Sequence, residues 1–378
     1  MFASIHWKDV FLFGGAIMGS IAGAGFASGQ EVMQFFTHLG FPENAGAGLV
    51  AMLLLSWLTM TILEDGRRYQ FQSGSAIFSY YCGKKIGLFF EWFVPTFMLM
   101  AVSVMFSAAS AVVSEYYQAD PVMGRFILAA LTLATVWLGL KKLIQIVGSV
   151  TPFFIAFTIL IGIVSIARHP GALEASNQTL QTIQVPGAFS HWFFSGLMYA
   201  SFLLLGLTPF TAGVGRHAKT RADTILAGLF AGFLFLAGAM LLSNGLLVQI
   251  TEVYDKEIPS LVMATRSLPL AAPLFALFML SGVYSASVSL LWIAVNRLYT
   301  DEKSRQYRIT AAIMVVISFF GGHLPFSTMV GYVYPTVGYM GLILIACIFL
   351  TKFRERQSVS HAPATDNATG TPDKTITG

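Results

Sequence analysis

The chain has 378 residues, of which 56% are hydrophobic and 11% are charged, and its mean hydropathy is +0.71. Soluble domains carry about 25% charged residues, so the composition excludes a soluble protein and indicates a polytopic membrane protein. The net charge of +4 is a poor guide to nucleic-acid binding, because the positions of the basic residues matter more than their sum, and we expect no nucleic-acid partner. Cys82 and Cys347 lack metal-ligand spacing, so we expect ordinary small residues and no disulfide framework.

Ten apolar segments approach the roughly 20 residues that a bilayer core requires. They cover residues 9–38, 45–64, 86–117, 122–140, 143–167, 191–215, 222–250, 271–299, 308–321 and 327–351. We therefore predict an all-α integral membrane protein with one ten-helix transmembrane domain, residues 1–356, and a disordered cytoplasmic tail, residues 357–378. A cleaved signal peptide over residues 10–27 is the alternative, but the apolar pattern continues through Phe36.

The first segment contains the glycine-rich stretch GSIAGAGFASGQE, residues 19–31. Glycine leaves a helix readily, because it loses the most conformational entropy there. We predict that helix 1 breaks near mid-depth over Gly23–Phe26 and restarts near Ala27 or Ser28, where free N–H groups would favour an anionic group.

Close helix packing is the other interpretation of these glycines. Gly15, Gly19 and Gly23 are spaced four residues apart, as in a small-residue contact ridge. We expect Gly15 and Gly19 to pack, and Gly23 and Gly25 to open the helix.

Glu31 follows the predicted break and would still lie within the hydrocarbon region. A charged side chain at the bilayer centre costs about 2.5–3.5 kcal/mol on insertion scales. A cation partner, hydrogen bonds to free amides or protonation could offset that cost, although the arginines within the predicted spans lie only near the span ends. We predict that Glu31 binds a substrate amino group or carries a coupling proton; a structural role in fixing helix 1 is the alternative.

Two pairs of segments repeat along the chain. Residues 95–108 match residues 273–286 at six of fourteen positions with an offset of 178, and VGSVTP (147–152) matches VGYVYP (330–335) with an offset of 183. Both pairs join helix n to helix n+5, so five helices form a unit and the second unit enters the membrane from the opposite side. We predict an inverted repeat of residues 9–167 and 191–351, with chance similarity as the alternative.

The offset of 178 carries the helix 1 break onto helix 6. Gly23–Gly25 correspond to Ser201–Leu203, and we predict that helix 6 is also discontinuous, around Tyr199–Phe202. Tyr199 and Ser201 could instead be packing residues.

The basic residues predict the orientation. With the amino terminus inside, eighteen of the 22 lysines and arginines fall on one face, and four fall on the other, namely Arg125, Arg168, Lys256 and Arg266. We expect a multi-pass protein of the inner cell membrane with both termini cytoplasmic.

No hydrolase, zinc-protease or Walker-type nucleotide motif occurs, so we predict no enzyme and no cofactor. Broken helices around a midplane site are typical of secondary transporters. The predicted function is secondary active transport of a small solute, and a channel or a membrane solute sensor is the alternative.

GAGFASGQE followed by VMQFF, residues 23–36, resembles the opening of the bacterial YkvI-like membrane proteins. These are similar to the amino acid–polyamine–organocation superfamily, which has the five-plus-five inverted repeat of LeuT. The resemblance implies a transporter of an amino acid or a related amine or carboxylate, driven by a sodium or proton gradient.

The resemblance also implies a site between helices. In LeuT-like carriers a sodium ion often lies between the helix 1 break and hydroxyl groups of helix 8, and Ser281, Ser285 and Ser289 share one face here. Small packing serines are the alternative, here and for Ser103 and Ser107 of helix 3. The expected substrate site comprises Gly23, Ala24, Gly25, Phe26, Ser28, Gln30, Glu31, Ser103, Ser107, Tyr199, Ser201 and Phe202, and the expected sodium site comprises Ala22, Gly25, Ser285 and Ser289.

Overall fold

The structure, a computed structural model, describes residues 5–71, 76–138, 155–299 and 301–360, without the side chains of residues 24, 25 and 358–360. Within these ranges the regular elements are helices. They are α1 Trp7–Ile21, α2 Ala24–Ser28, α3 Gln30–Phe35, α4 Glu43–Tyr69, α5 Ala76–Glu115, α6 Pro121–Leu138, α7 Ile155–Arg168, α8 Ala172–Leu180, α9 Trp192–Gly215, α10 Arg221–Leu247, α11 Ile250–Val253, α12 Pro259–Ser267, α13 Ala272–Leu298, α14 Arg305–Gly321 and α15 Phe326–Ser360.

The predicted spans and the described helices agree closely in position. Seven of the described helices are long and apolar enough to cross a membrane, or eight if the pair α7–α8, which is bent by 93°, forms one span. The first predicted segment is divided among α1, α2 and α3, and the ninth is the 17-residue α14. The fold class is thus confirmed as all-helical and membrane-spanning, and the count of ten stays a prediction.

The helices pack as two groups. The first group is α1, α4, α9 and α10, and the second is α5, α6, α13 and α14, with α15 lying against α9 and α5. Glycines bring the backbones of α4 and α9 into contact, because a Cβ at Gly66, Gly196 or Gly215 would collide with a carbonyl of the opposite helix. The core lies between α4, α9 and α10 and between α5 and α13, and helix 1 runs along the first group.

The start of α1 is fixed to the start of α10. The His6 backbone N–H donates to Asp223 Oδ1 at 2.9 Å, and Lys219 Nζ lies 3.0 Å from Asp9 Oδ2. Asp223 also completes a capping box with Thr220 at the start of α10. We call the membrane face at this end the basic face, since it carries the ends of α1, α4, α9, α10, α13 and α15 that are rich in lysine and arginine; the opposite face is the far face.

The predicted break in helix 6 is wrong. Helix α9 runs from Trp192 to Gly215 without interruption. No glycine occurs over Tyr199–Phe202, and the Ser201 hydroxyl donates to the Leu197 carbonyl at 2.7 Å within the helix. A Cβ at Gly341 of α15 would collide with the Ser201 carbonyl, so Ser201 is a packing residue, which was the alternative interpretation.

Two further expectations about helices need correction. A Cβ at Gly15 would have nothing within 4 Å, whereas one at Gly14 would lie 2.6 Å from Phe230 Cδ1 and 3.1 Å from the Ala227 carbonyl oxygen, so Gly14 makes the contact that we predicted for Gly15. Helix α15 continues to Ser360, which places the first four residues of the predicted disordered tail in a helix.

Some predictions fall on residues that the structure does not describe. The VGSVTP half of the second repeat pair (147–152) lies outside the described residues, as does the tail from residue 361.

Cys82 and Cys347, which we expected to be ordinary small residues, come together between α5 and α15. The two thiols lie within hydrogen-bonding reach, and next to them the Thr351 hydroxyl donates to the Tyr81 carbonyl at 3.2 Å. Both cysteines are free thiols and half-buried.

This contact predicts an intramolecular cross-link. Oxidation of the protein in detergent with copper phenanthroline should join Cys82 to Cys347, and peptide mass mapping without reductant should detect the joined peptides. Cys82→Ser is the control. Absence of the joined peptides from the native protein, with both thiols reactive toward maleimide, would contradict the packing of α5 on α15.

Candidate functional site

Helix 1 is discontinuous, as predicted, and the break is a tight turn. Ala22 has φ −70° and ψ 73°, and the Gly23 N–H donates to the Ile21 carbonyl at 2.7 Å. These values define an inverse γ-turn centred on Ala22. Gly23 is extended, and α2 starts at Ala24, so the break lies over Ala22–Gly23 and not over the predicted Gly23–Phe26.

A second interruption, which the sequence analysis missed, separates α2 from α3 at Gly29. Gly29 has φ 80°, a left-handed conformation that residues other than glycine rarely adopt. A Cβ there would lie 3.1 Å from Leu246 Cδ1 and 3.2 Å from the Ser260 backbone nitrogen. Because both conformation and space require glycine, Gly29 is the glycine of this stretch with the strictest requirement.

The outer part of helix 1 is therefore two short pieces. Helix α2 has five residues and α3 has six, and helix α2 begins three residues before the predicted Ala27. A helix this short sums few peptide dipoles, so the predicted attraction of an anionic group to its start loses most of its physical basis.

Glu31 lies in the first turn of α3 and is 2% exposed. Its Oε1 atom has no hydrogen-bond partner among the described residues, and the same holds for the Tyr199 hydroxyl. The Tyr199 hydroxyl approaches the Glu31 carboxylate without completing a well-formed hydrogen bond to Oε1, and Tyr334 is also near enough to interact with it electrostatically. A buried carboxylate oxygen without a donor is costly and is a candidate for a ligand or a proton.

A cluster of aromatic rings includes the two tyrosines that lie near this carboxylate. The ring centroids of Phe36 and Tyr199 are 4.7 Å apart, those of Phe35 and Tyr199 are 5.3 Å apart, and Phe202 stacks on Tyr334 at 4.8 Å. These five rings come from α3, its end, α9 and α15, and all are buried. An anionic group among ring faces suits a cationic partner, to which both contribute attraction.

Two glutamines of α3 connect this helix by hydrogen bonds to the segments at the far face. Gln30 Nε2 donates to the Lys256 carbonyl at 2.5 Å, and Gln34 Nε2 donates to Gln30 Oε1 at 2.9 Å and to the Ser327 carbonyl at 3.0 Å. The Ser260 hydroxyl donates to the Ala27 carbonyl at 2.6 Å. The loop around α11 and α12 thereby covers the outer part of helix 1.

The residues on the two sides of the break differ in solvent exposure. Every residue over 26–37 is buried, whereas Ser20, just before the break on the basic-face side, is exposed. In this structure the break is covered toward the far face.

The other predicted substrate residues are divided by the fold. Phe26 is buried against Phe235, at 5.0 Å between ring centroids, and the Ser28 hydroxyl accepts from the Gln30 N–H at 3.1 Å. The structure brings Glu31, Tyr199 and Phe202 together.

Ser103 and Ser107 lie elsewhere. The Ser107 hydroxyl donates to the Leu324 carbonyl at 2.6 Å, and a Cβ at Gly321 would lie 2.6 Å from the Ser103 hydroxyl, so both serines face the end of α14. The side chain of α5 that approaches the break is Met105, whose Cε would lie 3.9 Å from a Cβ at Gly23.

The predicted sodium ligands lie on elements that pack together. Helix α13 packs against α2, and Ala22 and Ser285 are both buried. The Ser285 hydroxyl has no hydrogen-bond partner among the described residues, whereas the Ser289 hydroxyl donates to the Ser285 carbonyl at 3.0 Å. Ser285 is thus the stronger candidate of the pair for an ion ligand. Among the described residues, no three His, Cys, Asp or Glu side chains cluster as metal ligands.

Comparison with known proteins gives two relatives along most of the chain. The membrane protein YkvI of Bacillus subtilis is 22% identical over 349 residues, covering 90% of this chain and 96% of YkvI. The protein YyaD of Bacillus subtilis is 21% identical over 341 residues, covering 88% of this chain and 94% of YyaD. The resemblance to the YkvI-like membrane proteins is confirmed. No family model matches the chain.

Solved structures establish the fold. MhsT in complex with L-phenylalanine gives a TM-score of 0.61 at 13% identity, covering 88% of this chain and 87% of MhsT. A Na⁺-coupled sialic acid symporter gives a TM-score of 0.57 at 13% identity, covering 94% of this chain and 88% of the symporter. A manganese transporter from Eremococcus coleocola gives a TM-score of 0.55 at 13% identity, covering 96% of this chain and 90% of that transporter. The predicted LeuT-type fold is confirmed by these likenesses.

Gly29, which is closely packed, and Gly15, which faces open space, should respond in opposite ways to substitution by alanine. Gly29→Ala introduces a Cβ at positive φ against Leu246 and should lower the free energy of unfolding by about 1–2 kcal/mol. Gly15→Ala adds a methyl group in open space within α1 and should be neutral or stabilising by up to about 1 kcal/mol. Thermal unfolding in detergent measures both. Equal behaviour of the two variants would contradict the interruption at Gly29.

Proposed function

We propose that the protein is a secondary active transporter that moves a small solute past the break in helix 1. The observation that carries the proposal is Glu31, a buried carboxylate with an unpaired oxygen on a helix that is interrupted within the membrane. A helix break inside a bilayer exposes backbone polar groups, which is tolerated where they line a cavity. A site of this kind binds a solute or an ion.

Carrier function is favoured over a channel by the cover on one side of the break. Gln30, Gln34 and Ser260 connect the outer part of helix 1 to the far-face loops, while Ser20 is exposed on the other side. A carrier requires a site that opens to one face at a time. A channel requires a path open to both faces in one state.

The proposed substrate is an amino acid or a related amine or carboxylate. The solved structures with this fold are of proteins that bind or transport L-phenylalanine, sialic acid and manganese. The fold therefore does not determine the substrate, and the side chains of the site have to select it. Glu31 among aromatic rings favours a substrate with a positively charged amino group.

Two coupling ions remain in the proposal. Glu31 can carry a proton, and Ser285 with the Ala22 backbone can hold a sodium ion, since hydroxyl and carbonyl oxygens suit a hard cation. The basic face is proposed to be the cytoplasmic side of the inner membrane, because the helix ends that form it carry most of the lysines and arginines of the described residues.

Uptake into proteoliposomes tests the transport proposal. The purified protein should show saturable, gradient-driven accumulation and counterflow for a solute first identified by a thermal-shift screen of amino acids and amines. Glu31→Gln keeps the shape and removes the charge. It should abolish binding if Glu31 holds the amino group, or spare exchange and abolish pH-driven accumulation if Glu31 carries the proton.

Glu43→Gln is the matched control, because Glu43 is exposed at the start of α4 and should leave uptake unchanged. Unsaturable flux through the native protein would favour a channel. Wild-type uptake and wild-type pH dependence in Glu31→Gln would leave only a structural role for this residue.

Sodium coupling has its own matched pair on α13. Ser285→Ala removes a hydroxyl without a partner among the described residues, whereas Ser281→Ala removes one that already donates to the Phe278 carbonyl at 2.7 Å. If sodium binds here, Ser285→Ala should raise the sodium concentration for half-maximal uptake about tenfold or more, and Ser281→Ala should change it little. Uptake by the native protein that is independent of sodium would exclude this site and favour the proton.

A further inference from the structure

A cavity at the basic face has a lining that contains no residue of the helix 1 break. It has a volume of about 840 Å³ and lies between α4, α10 and α15. No part of the proposed transport site belongs to its lining.

The rim of this cavity is positively charged. Arg68, Arg221 and Arg356 line it and are exposed. None of the three lies in an ion pair with a carboxylate of the described residues.

The acidic side chains at the cavity already have partners. Arg67 donates to both oxygens of Glu64, at 2.8 and 2.6 Å, and the Thr224 hydroxyl donates to Glu64 at 2.8 Å. Lys352 Nζ lies 2.6 Å from Asp65 Oδ1 and 3.0 Å from Glu355 Oε2. Lys352 is shared by two carboxylates and Arg221 also interacts electrostatically with Glu64, so the five basic and three acidic groups at the cavity leave an excess of two positive charges.

All three helices show the same change of polarity along the cavity. On α4 the lining passes from Trp57 to Arg68, on α15 from Phe349 to Arg356, and on α10 from Ile225 to Arg221. At 1.5 Å per residue these steps are about 16, 10 and 6 Å. Each helix thus places an apolar side chain deeper in the membrane and a guanidinium group at the surface.

We propose that this cavity binds an anionic phospholipid of the basic-face leaflet. The arginines bind the phosphate, for which guanidinium groups have matching donors, and Trp57, Phe349 and neighbouring apolar side chains contact the acyl chains. A free phosphate ion would use the arginine rim and leave the apolar wall uncovered. Phe349 and Phe353 are 60% and 52% exposed, which an acyl chain would cover.

The ligand bridges the two helix groups. Helix α4 and helix α10 belong to the first group, and α15 also lies against α5 of the second. An anionic lipid at this point would connect elements that a carrier moves relative to each other, so its occupancy should influence the transport rate.

Native mass spectrometry of the purified protein tests the proposal. Phosphatidylglycerol should bind at least tenfold more tightly than phosphatidylcholine with the same acyl chains. The double variant Arg68→Gln, Arg356→Gln should weaken phosphatidylglycerol binding roughly 30-fold, because each arginine near an anionic lipid surface contributes about 1 kcal/mol of binding free energy. Arg305→Gln with Arg308→Gln is the control, since these exposed arginines lie at the same face on α14, outside the cavity.

The other outcomes overturn the proposal. Equal binding of the two lipids, or an equal loss in the control pair, would leave only the general attraction of a basic surface. Competition by glycerol 3-phosphate at the concentration of the lipid would show a site for small anions. If the double variant fails to fold, each single variant should still show a loss of roughly fivefold, and no loss in either would contradict the site.

Discussion

The structure depends on one constraint: a polypeptide in a bilayer must satisfy its backbone polar groups internally. The seven described helices that are long and apolar enough to cross a membrane meet it with continuous helix over their apolar parts, and helix 1 does not. The inverse γ-turn at Ala22 and the left-handed Gly29 leave helix 1 in three pieces. The packing of α2 and α3 against α10, α12, α13 and α15 surrounds these pieces with protein rather than lipid.

In the proposed function, Glu31 is the group near this break that binds a cation or a proton. An ionised carboxylate in a low-dielectric interior needs a counter-charge, hydrogen-bond donors or a proton. Tyr199 and Tyr334 lie near the carboxylate, but among the described residues none completes a well-formed hydrogen bond to Oε1. In the proposed transporter, a cation or a proton bound at Glu31 would recover the free energy that this arrangement costs, so an empty site would be less stable than an occupied one.

Local patterns in the sequence predicted the larger part of the fold. Hydropathy placed most helix ends within about five residues of their described positions, because lipid requires apolar runs of a fixed length, but α5 starts ten residues earlier than predicted and α15 ends nine residues later. The glycine cluster predicted that helix 1 is interrupted, but not that Gly29 rather than Gly25 adopts a positive φ, which depends on Leu246 and Ser260 from distant segments. The break in helix 6 was transferred by sequence offset alone, and α9 remains continuous because its own residues favour helix.

The candidate site was harder to predict, because the sequence of an apolar helix does not show which neighbouring helix each of its faces contacts. Ser103 and Ser107 share a face, but periodicity does not tell which neighbour that face meets, and it meets α14. The aromatic residues around Glu31 come from three separate elements, as do Cys82 and Cys347 from two. Such contacts between distant positions could be found only from the packed structure.

Alternating access around helix 1 is the central claim, and cysteine labelling in proteoliposomes tests it most directly. In a chain with Cys82→Ser and Cys347→Ser, the double variant Ser20→Cys, Gln30→Cys is exposed to a membrane-impermeant maleimide from each side. The account predicts that position 20 reacts only from the basic face, that position 30 reacts only from the far face, and that modification of one slows the other severalfold. Simultaneous labelling of either position from both sides, or labelling of the two positions at independent rates, would contradict it.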